Sequence, residues 1–183
     1  MKKKTVALLL VLVLLLGSVI SGTVAWLTAK TDPVKNTFTD SNIDITLNET
    51  TGSDYKMVPG YKISKDPKVT VEKGSEKCYL FVKLEKSANF DSFLTYTIAD
   101  GWTLLDGDVY YRVVDTDQMG KAFSVLNDDQ VTVKDTVTKA MMDELKADQT
   151  KRPTLTVTAY ASQFNNSNNT NFTPAEAWEK ISK

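Results

Sequence analysis

The side chains that most often do chemistry are sparse in this sequence, and one type is missing. The 183-residue chain has no histidine. That removes Ser-His-Asp and Cys-His nucleophilic machinery, histidine-ligated zinc and imidazole acid–base work. No zinc-protease helix motif, Walker A loop, nucleophile elbow or dinucleotide fingerprint is present. Asp115, Asp117 and the residues through Gly120 begin like a calcium loop. Such a loop needs an oxygen ligand at its fifth position and a carboxylate at its twelfth. Those positions hold Met119 and Leu126, so the stretch reads as a solvated turn. Asp106-Gly107-Asp108 reads more simply as a hairpin turn than as half of a calcium site. Glycoside hydrolysis needs only two placed carboxylates, and no pair stands out among the 23 acidic residues. The expectation is therefore no catalytic residue, no cofactor and no metal ligand, in a protein that is not an enzyme.

The lone cysteine, Cys78, lies in the apolar run Cys78-Tyr-Leu-Phe-Val-Lys-Leu84. It cannot form an internal disulfide and reads as a small buried side chain. An exported animal protein of this size carries more cysteines as a rule, so the composition points to bacterial export.

Export itself is written at the start. Lys2-Lys3-Lys4 precede an apolar run from Val6 to Leu16, then Gly17, Ser18 and further small or polar residues. Charged, apolar and small-residue regions in that order make a secretory signal. The apolar region is shorter than the ~20 residues a membrane span needs. Counted on through Leu27 it becomes just long enough, so an uncleaved anchor is the competing reading, and membrane contact is expected only through the uncleaved signal. Cleavage between Ala25 and Trp26 fits best, with Ala29 as the second site. Three of the 22 basic residues fall before that point, leaving 19 against 23 acidic ones. Nucleic acid is not an expected partner, because it calls for a clustered basic face.

Residues 1–25 thus read as a signal peptide, 26–42 as a flexible N-terminal arm and 43–183 as one domain. Within the domain, Ile43, Ile45 and Leu47 alternate with polar residues, the mark of a half-buried strand. Val69–Val71, Leu94–Ile98, Phe123–Val125 and Val131–Val133 read as further strands. Trp102–Leu105 and Val109–Val114 make a hairpin. Both faces of Cys78–Leu84 are mostly apolar, so that strand belongs in the middle of a sheet. The longest alternating run is Leu155–Ala161. Tyr79, Tyr96, Tyr110, Tyr111 and Tyr160 fall on predicted strands, where cross-strand packing explains them better than a ligand-binding face. A helix is expected near 137–147. A second is expected after Thr173, with Pro174 at its first position and Glu176 completing a capping box. Short strands spaced by turns, with two short helices, give an all-β antiparallel sandwich.

Three stretches resemble a known family. Gly22-Thr23-Val24-Ala25-Trp26-Leu27, followed by Asn36-Thr37-Phe38-Thr39 and Ile43–Leu47, is similar to the start of TasA- and camelysin-type proteins of Gram-positive bacteria, whose junction is cut by a SipW-type signal peptidase. Val58-Pro59-Gly60 with Lys65-Asp66-Pro67, and Leu155–Gln163, resemble later segments of that family. The resemblance implies a jelly-roll sandwich, secreted and assembled into extracellular biofilm-matrix fibres by self-association, with possible accessory matrix proteins. It implies that Trp26, Leu27, Val34 and Phe38 of the freed arm dock in a neighbouring subunit as a donated strand. A metalloprotease activity ascribed to the camelysin branch gains no support from a chain without histidine. The rival expectations are a monomeric cell-surface binding module or adhesin, using Asn165–Asn171 and exposed tyrosines, and a hydrolase.

Overall fold

The computed structural model describes residues 42–52, 55–166, 168 and 170–182. The signal peptide, the cleavage pair Ala25 and Trp26, and the arm residues Leu27, Val34 and Phe38 lie outside the described residues.

Among the described residues, ten strands form three sheets, and every strand pairing is antiparallel. One sheet joins β1 (Ile45–Asn48), β3 (Lys68–Val71) and β8 (Ala122–Ser124) in the order β1-β3-β8. A second joins β2 (Lys62–Ser64), β5 (Leu94–Thr95) and β9 (Gln130–Val133) in the order β2-β9-β5. The third and largest holds β4 (Cys78–Lys86), β6 (Thr103–Asp106), β7 (Val109–Val114) and β10 (Leu155–Gln163), in the order β10-β4-β7-β6. The all-β expectation holds.

β4 is central, as its two apolar faces require. Cys78, Leu80, Val82 and Leu84 are fully buried in the main core with Val69, Val71 and Val133 of the smaller sheets. Tyr79 and Phe81 point the other way into a second cluster. Burying a side chain of this size contributes about 1.5–3 kcal/mol, so β4 alone anchors both layers.

The second cluster exists because the chain end folds over the outer face of the large sheet. There Phe81 meets Trp178, ring centroids 5.3 Å apart, and Trp178 meets Tyr160 edge-on at 5.2 Å. Trp178 belongs to the last helix, α3 (Pro174–Glu179). The helix starts where the sequence places it. The Thr173 hydroxyl accepts from the Glu176 amide, and the Thr173 amide donates to the Glu176 carboxylate at 2.8 Å. The other expected helix is α2 (Lys139–Ala147), which buries Leu145.

Three expectations need correction. A third, one-turn helix, α1 (Phe90–Phe93), precedes β5 and buries Phe90 and Phe93. The strand expected over Leu94–Ile98 pairs only at Leu94 and Thr95, and Ile98 makes an isolated bridge to Leu126. Tyr96 is therefore not on a strand. The alternation follows burial, since Tyr96 and Ile98 both pack on the core, but the ladder stops before them.

The Val58-Pro59-Gly60 turn is present. The Tyr61 amide donates to the Val58 carbonyl at 2.9 Å, and Gly60 sits at φ +75°. A side chain at Gly60 would also meet the Asp135 carboxylate. After this turn runs β2, which the sequence does not announce.

Candidate functional site

Two places in the fold offer more than packing. The first is a seam between two strands that each have one hydrogen-bonded neighbour among the described residues, β1 and β10. They lie side by side, with Cα atoms within 8 Å and no ladder between them.

The seam leaves the core partly open. Leu155, Val157, Ala159 and Ala161 of β10 face the main core, and the last three stand directly opposite Leu84, Val82 and Leu80 of β4. The β4 residues are fully buried, whereas the β10 residues are only half-buried. On the other side Ile43 and Ile45 are half-buried and Leu47 is 38 % exposed. An edge strand carries unpaired backbone donors and acceptors, and here an apolar stripe lies beside them.

One end of this seam is tied to the turn before β4. The Glu76 amide donates to the Asn42 carbonyl at 3.1 Å, and the Asp44 amide donates to the Ser75 hydroxyl at 3.1 Å. That holds the start of β1 against the turn before β4, the end at which Cys78 pairs with Gln163 of β10.

The second place is a groove of about 830 Å³ at the opposite end, near Leu155. Its floor is core: Ile63, Phe90, Leu94, Val131 and Leu145. Met57, Met142 and Leu155 form its walls, and Lys56, Lys65, Lys146 and Arg152 stand at it beside one acid, Glu49.

Between these places the Thr50–Thr51 loop is fixed by a buried carboxylate. Asp66 accepts from the Thr50 amide at 2.8 Å, the Thr50 hydroxyl at 2.6 Å and the Thr51 amide at 3.1 Å. These donors hold its carboxyl well below the usual carboxylate range. The role is structural and invisible in the sequence, where Lys65-Asp66-Pro67 stands out only for its resemblance to a family segment.

Other sequence candidates are dispersed. Asp115 and Gln118 form a capped 3-10 turn, and Asp106 and Asp108 flank the β6–β7 turn. Among the described residues, no group of three or more carboxylates or cysteines is gathered as a metal site would need. Cys78 is buried, and burial pushes its thiol up to about 11. Tyr79, Tyr111 and Tyr160 pack in the outer cluster, where the Tyr79 hydroxyl donates to the Phe172 carbonyl at 2.7 Å. Tyr96 and Tyr110 pack against the main core. The rival ligand loop is closed by a bridge between Asn165 and Asn171.

The chain matches no protein-family model, no curated protein and no solved structure at a significant level.

Proposed function

We propose that this is an exported structural protein, a subunit or accessory of extracellular biofilm-matrix fibres, assembling by donation of the arm 26–42 to the seam of a neighbour. The observation that carries the reading is the half-open core between β1 and β10. A strand seated along β10 would pair its outer backbone groups and cover Val157, Ala159 and Ala161. Trp26, Leu27, Val34 and Phe38 supply apolar side chains for that stripe. At ~3.3 Å per residue the arm spans about 50 Å when extended, against about 30 Å for β10, so its length suffices.

Seating has a geometric requirement. Strands pair ~4.8 Å apart, so one lying between two others needs about 9.6 Å. Where β1 and β10 approach within 8 Å, donation must part them slightly, or the donor must pair with β10 while β1 shifts aside. A head-to-tail contact of this type does not close on itself and makes a filament. The three antiparallel sheets are then the body of a jelly-roll-like sandwich that the donor completes.

The test pairs N-terminal sequencing of the secreted protein with electron microscopy of the same sample. The reading expects a new N-terminus at Trp26 and filaments that vanish when residues 26–40 are deleted. A mature protein that stays monomeric under all conditions, or filaments unchanged by the deletion, overturns it.

A further inference from the structure

We propose that the groove at the Leu155 end of the sandwich binds a single-chain anionic amphiphile of the fatty-acid class. The inference does not depend on fibre assembly.

Size and lining come first. Small-molecule sites are concave, mostly apolar and roughly 300–1,000 Å³, and this groove measures about 830 Å³. Its floor is made of side chains that also build the core, with Phe90 at 1 % and Val131 at 4 % exposure. They are held by β2, β5, β9, α1 and α2, so the floor is preformed. Two walls are methionines, Met57 and Met142. Unbranched thioethers adapt their rotamers to an irregular alkyl chain at little cost. The fixed polar groups of the lining, Glu49, Tyr55 and Lys65, are spent on one another: the Tyr55 hydroxyl and the Lys65 ammonium both donate to the Glu49 carboxylate, at 2.7 and 2.9 Å.

Charge selects the head group. Among the described residues, four cations and one acid line the groove. Lys65 is committed to Glu49 at 2.9 Å, which neutralises both. Lys146 lies 3.5 Å from Asp143, a long and exposed contact. Lys56 and Arg152 have no ion pair among the described residues. The described residues of the rim are thus net positive, in a chain whose overall charge is −1. An apolar trough with a cationic rim fits an alkyl chain ending in a carboxylate, whose charge the lysine and arginine heads neutralise while the tail displaces water from Met142 and Leu155. The arm 26–42 is a poorer occupant on charge, because its two lysines and two aspartates cancel.

The experiment is titration of the full secreted chain with dodecanoate, below micelle formation. Calorimetry and the methyl resonances of labelled Met57 and Met142 are the readouts. Dodecyl maltoside, with the same tail and no charge, runs in parallel, as does a peptide of residues 26–42. The proposal expects saturable dodecanoate binding that shifts both methyl signals, and weaker binding of the maltoside. The exposed double variant Lys56→Gln/Arg152→Gln should weaken dodecanoate about fivefold, the range open to solvent-facing charge pairs, and leave the maltoside unchanged. Met142→Trp, which fills the groove from its wall, should weaken both. No saturable binding, equal binding of both amphiphiles, or displacement of dodecanoate by the peptide overturns the proposal. None of these outcomes requires filaments, so its failure is distinct from failure of the assembly reading.

Discussion

Leu80 and Ala161 stand directly opposite each other across β4 and β10, yet Leu80 is fully buried and Ala161 is not. Both point into the same core. The difference lies in what flanks them: β4 has β7 on its far side, whereas β10 has only the seam with β1 among the described residues. A core that closes on one side of a strand pair and stays open on the other is what an added strand would complete.

A charge placed on that stripe should block assembly and spare the fold. Ala161→Glu puts a carboxylate at a half-buried edge position, with an expected cost of about 1 kcal/mol. Urea unfolding should show a stable monomer, and electron microscopy should show no filaments. Normal filaments from this variant would remove β10 as the acceptor.

The chain end should matter to stability more than its length suggests. Trp178 packs on Phe81 and Tyr160, so Trp178→Ala should cost about 3 kcal/mol. Thr173→Ala, which removes only the cap of α3, should cost about 1 kcal/mol. Denaturant midpoints at constant slope measure both.

Cys78 should be inert in the folded protein. Its thiol is raised to about 11 from an ordinary value of 9.0 by burial, and Tyr96 is raised to about 12 from 10.0 for the same reason. Both groups are neutral when buried, and both folded values lie above the unfolded ones. Their contribution to stability is therefore intact below about pH 9 and lost as pH rises toward 12. A thiol reagent at pH 8 should label Cys78 only at the rate of unfolding, and thermal midpoints should fall across the alkaline window.

Asp66 works in the opposite direction. Hydrogen bonds from Thr50 and Thr51 lower its carboxyl, so its contribution is present above the unfolded carboxylate value near 4 and is lost as pH falls toward the lower folded value. Asp66→Asn should lower the melting temperature at pH 7 and flatten the acid limb of the stability curve. An unchanged acid limb would show that the loop is held by something else.

The sequence marks elements whose signal is local. The Thr173-Pro174-Glu176 cap, the β6–β7 hairpin and the two-faced apolar run of β4 each carry their cause within a few residues. Alternation over Leu94–Ile98 predicts which side chains are buried and misplaces the ladder, because period two reports facing rather than hydrogen bonding. β2 is missed because Ile63 is its one buried residue, too little for a pattern. α1 is missed because a single helical turn set by Phe90 and Phe93 on the core has no repeat. The seam and the groove depend on which strands become edges, and pairing partners such as Leu80 and Ala161, far apart in sequence, leave no local trace.

Hydrogen exchange along β10 tests the central claim most directly. Alternate amides from Leu155 to Gln163 point away from β4 and have no ladder partner among the described residues. In the chain lacking residues 26–40 these amides should exchange quickly, and in assembled mature protein they should become protected while the β6 edge does not. Equal exchange at the β10 edge with and without the arm would contradict strand donation to this seam.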